Sequence, residues 1–178
     1  GQAADRDGAP YSVGEHSVRG ARAIVEETHD DGAGLAFLIH DAHEVLGGDV
    51  KRPFMDLAEL IAARDGIAPG GEVRRVIEAA KSHLDRAIHA AAGIPWPLPS
   101  HVALIVRDMD ERMAAEEMRR FWPALALPEA YRRLRGVPWS PGPNEACWPV
   151  ELAAALWMEE LCSLHAMVST KSAMEARS

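Results

Sequence analysis

Hydrophobic residues recur at helical spacing through most of the chain. Apolar side chains three or four positions apart line one face of each of several segments, and no segment alternates apolar and polar residues as a half-buried strand does. We therefore predict an all-α fold. The pattern predicts helices at about 13–27, 33–46, 53–63, 72–92, 101–121 and 150–168, with one short helix at 129–134.

Capping and helix-breaking residues mark several ends of these helices. Ser12 followed by Glu15 is the signature of a capping box, which predicts the start of the first helix. The double glycine at 47–48 ends the second helix. Ser100 can cap the helix that follows it, and residues 169–178 are expected to fray.

The length and composition describe one ordinary globular domain. The chain has 178 residues, 48% of them hydrophobic and 26% charged, so we expect a single domain over 1–178. Residues 122–178 are expected to form an irregular wrap and a C-terminal helix. No run reaches the roughly 18 apolar residues that a membrane span needs, and no signal peptide opens the chain.

Charge and cysteine usage narrow the class of protein. A net charge of −8 argues against a nucleic-acid binder, although a metal and local cations can still make a pocket attractive to a small anion. Cys147 and Cys162 lack the spacing of a zinc site. We interpret them as thiols in a reducing compartment and expect a cytoplasmic protein that contacts neither nucleic acid nor membrane.

The residues best suited to chemistry follow the apolar run 35–39. His40 and Asp41 come directly after it, and Glu44 comes one helical turn later. If the helix continues, these three side chains share one face. An imidazole and two carboxylates on a buried face are costly unless hydrogen bonds or a cation compensate them, and a divalent metal does so directly.

Two further short sequence motifs contain residues that could join His40, Asp41 and Glu44. YSVGEHS at 11–17 contains His16, and VRDMDER at 106–112 contains Asp108 and Asp110. On a helix the two aspartates lie about 200° apart, so only one of them can face an ion.

The order of these words resembles the HD-domain phosphohydrolases, whose ligands are a distant His, a His-Asp pair and a distant Asp. YSVGEHS resembles the word YSVAEHS, and HDAHEVLGGDVKRP resembles the HDAxE word of the branch that holds bacterial 5'-deoxynucleotidases and phage dATP triphosphohydrolases. The likeness is strongest over 10–121. It implies a single HD-domain helical bundle, a small-molecule nucleotide substrate and a homo-oligomer.

The resemblance implies one divalent transition metal, Zn, Mn or Co, with Mg as a further ion for a polyphosphate substrate. The implied ligands are His16, His40, Asp41 and Asp110. Asp110 is preferred to Asp108 because the family word is Asp-x-Arg with a glutamate seven residues after the aspartate, here Glu117. Asp108 is then a solvated carboxylate.

The catalytic residues implied by the resemblance are Glu44 and Asp49. Glu44 would orient or deprotonate water, with a role in fixing the His40 tautomer as the alternative. Asp49 would lie near the phosphate and the leaving oxygen, with capping of a turn as the alternative. His43 is turned away from Asp41 on a continuous helix and is left out of the ligand set.

Lys51 and Arg52 are the candidate substrate-binding cations. Relatives often carry a lysine where this chain has Met55, so Lys51 or Arg52 could replace it, and solvated charges are an equally good interpretation. Relatives also carry an Arg-Phe…Gly word before YSV that shapes the nucleoside pocket. This sequence starts at Gly1 without that word, which leaves base preference open.

The resulting hypothesis is metal-dependent hydrolysis of deoxynucleotides by attack of metal-bound water at the α-phosphorus. A monophosphate would give nucleoside and phosphate, as in a 5'-deoxynucleotidase, and a triphosphate would give nucleoside and tripolyphosphate. Two alternatives stay open: a nucleotide-binding HD regulatory module with little turnover, and a helical interaction domain without a metal.

Overall fold

The structure of the protein, a computed structural model, describes residues 11–48, 52–122, 128–137 and 146–175. The described residues form helices and no strand, which confirms the predicted all-α fold. The helices are α1 Val13–Thr28, α2 Asp31–Leu38, α3 Glu44–Gly47, α4 Arg52–Arg64, α5 Glu72–Ala91, α6 Ser100–Phe121, α7 Glu129–Arg132 and α8 Val150–Glu175. No described helix is both long enough and apolar enough to cross a bilayer.

Most predicted helix bounds are confirmed within one or two residues, except for the second helix, which ends at Leu38 and not at 46. Two further predictions at helix ends are wrong. α8 continues to Glu175, where fraying was expected from 169, because Lys171, Ala173 and Met174 are good helix formers. Ser100 lies inside α6 and caps nothing, since Pro99 occupies the N-cap position with an extended backbone.

The apolar run of α2 forms the centre of the core. Leu35, Ala36, Phe37 and Leu38 are fully buried against α1, α6 and α8. α1 comes close to α2 because Gly20 has no side chain, since a Cβ at that position would lie 2.0 Å from the Phe37 ring. The buried run Leu35–Leu38 therefore leads directly to His40 at the edge of the core, where its side chain is only 14% exposed.

A buried carboxylate ties α1 to a segment far along the chain. Glu15 is fully buried, and it accepts hydrogen bonds from Arg19 Nε at 2.9 Å and from the Trp148 backbone N–H at 2.8 Å. Arg120 of α6 lies 4.0 Å from the same carboxylate. Ser12 accepts from the Glu15 N–H at 3.0 Å, as predicted, but the Glu15 side chain is used here and not in a capping box.

A second buried ionic group joins α6 to α1. Arg112 is 2% exposed, and Glu27 accepts from its Nη1 and Nη2 at 2.9 and 2.6 Å. The carbonyls of Arg135 and Gly136 accept at 3.1 and 2.7 Å, and Asp108 accepts at 3.4 Å. Every N–H of the guanidinium thus has an acceptor, which fixes the rotation of α6.

We predict that Glu15→Gln destabilises the fold by about 3 kcal/mol or more, because it removes the anion from a buried group that contains two arginines. Urea unfolding followed by circular dichroism measures this loss. Glu129→Gln is the matched control, since the ion pairs of Glu129 lie on the surface, and it should cost less than about 1 kcal/mol. Equal losses in the two variants would contradict the prediction.

We also predict that Glu27 makes the free energy of unfolding depend on pH. Hydrogen bonds from Arg112 hold the pKa of Glu27 below its ordinary value, against the opposing effect of burial. A carboxyl whose pKa is lowered by folding stabilises the protein above its unfolded pKa of about 4.3 and loses that contribution as the pH falls through the folded pKa. The gap in unfolding free energy between wild type and Glu27→Gln should therefore narrow below about pH 4.3. A difference in unfolding free energy between the two proteins that stays constant from pH 7 to pH 3 would contradict this prediction.

Candidate metal centre

The second predicted helix is interrupted where the candidate centre begins. α2 ends at Leu38, residues 39–43 form turns, and α3 starts at Glu44. The predicted helix through 46 is therefore wrong, and so is the single helical face expected for His40, Asp41 and Glu44. The backbone folds back over these residues in tight turns, in which Glu44 N–H donates to the Asp41 carbonyl at 2.9 Å.

At the end of α2, side chains donate hydrogen bonds to two backbone carbonyls that would accept from backbone N–H groups if the helix continued. The Phe37 carbonyl accepts from Nδ1 of His40 at 2.6 Å, and the Leu38 carbonyl accepts from the indole N–H of Trp157 at 3.0 Å. In an α-helix these two carbonyls would accept from the amides four residues later. The Phe37 carbonyl also accepts from the backbone N–H of His40 at 3.2 Å, which is the bond of a tighter turn. α2 thus ends with both carbonyls occupied and with the His40 ring held against the end of its own helix.

The imidazoles of His16 and His40 each have a hydrogen-bond acceptor at Nδ1. Nδ1 of His40 faces a backbone carbonyl, which only accepts, so Nδ1 carries the proton. Nδ1 of His16 lies 2.6 Å from Oε1 of Glu117, which also accepts. In the neutral rings both Nε2 atoms then present lone pairs, which is the state that binds a metal.

These two lone pairs and two carboxylates converge on one place. Nε2 of His16 and Nε2 of His40 lie 3.5 and 3.7 Å from Oδ1 of Asp110, and Nε2 of His40 lies 3.2 Å from Oδ2 of Asp41. Both Nε2 atoms are buried without a hydrogen-bond partner among the described residues. His16, His40 and Asp41 bring one potential ligand atom each within 4.8 Å of one another. Ligands of one ion with bonds of about 2.1 Å are roughly 3.0–3.4 Å apart, so Oδ1 of Asp110 would have to move a few tenths of an ångström closer to both Nε2 atoms to join these three on a single divalent metal.

The electrostatics of this place favour positive charge. Burial alone would lower the pKa of His16, but the carboxylates of Asp110 and Glu117 outweigh it and raise the pKa to about 10. Burial likewise opposes ionisation of Asp110, yet the imidazoles of His16 and His40 bring its pKa below the ordinary value. A cation, whether proton or metal ion, is thus stabilised between these groups.

Tyr11, the first described residue, provides a neutral phenol beside Glu117. Burial, then the carboxylates of Glu117 and Glu15, raise the pKa of Tyr11 well above its ordinary range, so the phenol stays protonated beside Glu117. The Tyr11 ring packs on Phe121, with centroids 5.2 Å apart. The resemblance supplied Glu117 only as a spacing mark, and the structure shows that it orients His16.

Glu44 lies in a second cluster that overlaps the first. Asp41, His43 and Glu44 bring one potential ligand atom each within 4.8 Å of one another. Nδ1 of His43 is 3.0 Å from Oδ1 of Asp85 in α5. The sequence interpretation excluded His43 because it assumed a continuous helix, and the turn removes that reason. No local sequence motif could identify Asp85 as part of this cluster, because it is distant in sequence from His43.

The remaining predicted site residues divide into two groups. Asp49 and Lys51 lie outside the described residues, and of Arg52 only the backbone at the start of α4 is described. Asp108 is 61% exposed and faces Arg112, on the opposite side of α6 from Asp110. The expectation that only one of these two aspartates faces the histidines is confirmed.

We predict that metal binding releases protons. Because the pKa of His16 is raised to about 10 without a metal, an ion at Nε2 must displace a proton at neutral pH. Affinity for Mn²⁺ should rise about tenfold per pH unit between pH 7 and pH 8.5. Calorimetric titrations in two buffers of different ionisation enthalpy measure the protons released. Glu117→Gln removes one of the two carboxylates that raise this pKa and should reduce the release, and affinity independent of pH would contradict the assignment.

Because comparisons with known proteins found no match, any assignment of function depends on the residues described above. Neither a protein-family model, nor a curated protein, nor a solved structure matches the chain.

Proposed function

We propose that the chain is a metal-dependent phosphohydrolase that acts on deoxynucleotides. The observation that carries the proposal is the convergence of two buried imidazole Nε2 atoms with the carboxylates of Asp41 and Asp110. Mixed nitrogen and oxygen ligands suit Zn, Mn or Co. The words YSVGEHS and HDAHEVLGGD, with their likeness to the deoxynucleotidase branch of the HD-domain phosphohydrolases, support the substrate class.

A divalent metal bound to these ligands would acidify water and polarise a phosphoryl group. The protein's own residues supply the orientation and the proton transfer. Glu117 and the Phe37 carbonyl keep the two imidazoles turned toward Asp110. Glu44 is the base that would take the proton from the attacking water, because its carboxylate lies near Asp41 at the edge of the cluster.

The phosphate and its leaving group are assigned to the residues after α3. Asp49 would stand near the leaving oxygen, and Lys51 or Arg52 would hold phosphate oxygens, since a guanidinium can bind two of them at once. Mg²⁺ would accompany a polyphosphate substrate. Like the proteins it resembles, the chain would act in the cytoplasm as a homo-oligomer.

We predict that the purified protein, loaded with Mn²⁺, Co²⁺ or Zn²⁺, hydrolyses a deoxynucleotide. Chromatography of the products separates the two reactions, since dAMP would give phosphate and dATP would give tripolyphosphate. Glu44→Gln should lower kcat by about 10²–10⁴ while His16, His40 and Asp110 still hold an ion. His40→Ala should lose that ion and the activity together.

Asp108→Asn is the matched control for these variants. It changes an exposed carboxylate on the far side of α6 from Asp110, so activity should be unchanged. Tight nucleotide binding without turnover in the metal-loaded wild type would favour a regulatory module. A folded wild type that neither binds a metal nor hydrolyses any deoxynucleotide would refute the proposal.

A further inference from the structure

We propose a second divalent cation site, formed by Asp41, His43 and Glu44, that shares Asp41 with the first. This inference rests on the proposed metal-dependent function and makes its centre dinuclear. The three side chains bring one ligand atom each within 4.8 Å of one another, and Asp41 also belongs to the group of His16 and His40. A carboxylate has two oxygens, so Asp41 can bind an ion on each side. One oxygen of Glu44 would likewise bind the second ion, which leaves its other oxygen to accept the proton of the attacking water.

The anchoring of His43 repeats that of the other two imidazoles. Nδ1 of His16 meets Glu117 at 2.6 Å, Nδ1 of His40 meets the Phe37 carbonyl at 2.6 Å, and Nδ1 of His43 meets Asp85 at 3.0 Å. An acceptor at Nδ1 leaves Nε2 as the lone-pair nitrogen in the neutral ring. A carboxylate behind a histidine is the arrangement that orients metal-binding imidazoles in proteins.

The support behind His43 is rigid and shielded from solvent. The side chains of His43 and Asp85 are 12% and 14% exposed, so the pair is not an ordinary surface contact. One turn further along α5, Nδ1 of His89 donates to the Asp85 carbonyl at 2.8 Å. His89 is 2% exposed and packs on Trp96 at a centroid distance of 4.6 Å, which fixes this part of α5.

The balance of charge also favours a second ion. Asp41, Glu44, Asp85, Asp110 and Glu117 bring five carboxylates to the joined clusters, and one divalent ion offsets only two of those charges. A second ion bound by one imidazole and two carboxylates offsets two more and suits Mn, Zn or Co. Two ions joined by a carboxylate lie about 3.5–4 Å apart, and such pairs clamp a phosphoryl group from both sides.

The test is the Mn²⁺ content of the full chain, measured by elemental analysis after saturation and removal of loose ions. The wild type should hold about two ions per chain and show the exchange-coupled electron paramagnetic resonance spectrum of a bridged pair. His43→Gln should hold about one ion with an uncoupled spectrum. His83→Gln is the matched control, an exposed histidine on the same helix as Asp85, and should keep both ions.

A wild type that saturates at one ion would overturn the inference, as would a folded His43→Gln variant that keeps both ions or loses both. Should His43→Gln fail to fold by circular dichroism, Asp85→Asn decides, since it leaves His43 in place. It should weaken the second ion about 10–100-fold and leave the first unchanged, and equal affinities would overturn the inference. One ion with hydrolysis would leave the proposed function standing, whereas two ions without hydrolysis would remove the function and keep the site.

Discussion

The centre depends on the hydrogen bond from the His40 ring to the Phe37 carbonyl. This bond of 2.6 Å lies at the end of α2, fixes the tautomer of His40 and turns its Nε2 toward Asp110. On a continuous helix the carboxylates of Asp41 and Glu44 would instead follow the helix surface. The interruption of regular structure is what gathers the ligands.

The Phe37 ring contacts both the hydrophobic core and the candidate metal centre. Its ring lies against Gly20 on one side and contacts His16 and His40 at centroid distances of 5.5 and 4.4 Å. The same ring thus fills the tightest contact between α1 and α2 and supports both imidazoles. A close-packed interior allows little side-chain movement, so the two ring planes are held without needing an ion. Preorganisation of this kind lowers the ordering cost of binding.

The sequence could predict the parts of this arrangement that depend on local pattern. The run 35–39 predicts its own burial, and the 100° step of a helix separates Asp108 from Asp110 on α6. It could not predict the end of α2, where the Leu38 carbonyl accepts from an indole 119 residues away in sequence. His43 was excluded for the same reason, and Asp85 is recognised only when α5 is seen beside the turn.

The bond from Trp157 to the Leu38 carbonyl has a consequence for biosynthesis. Trp157 belongs to α8, which leaves the ribosome after all the candidate ligands have been made. Until α8 docks, the Leu38 carbonyl lacks this partner. The contact at the end of α2 is therefore completed only after the segments that carry His16, His40, Asp41 and Asp110 have left the ribosome.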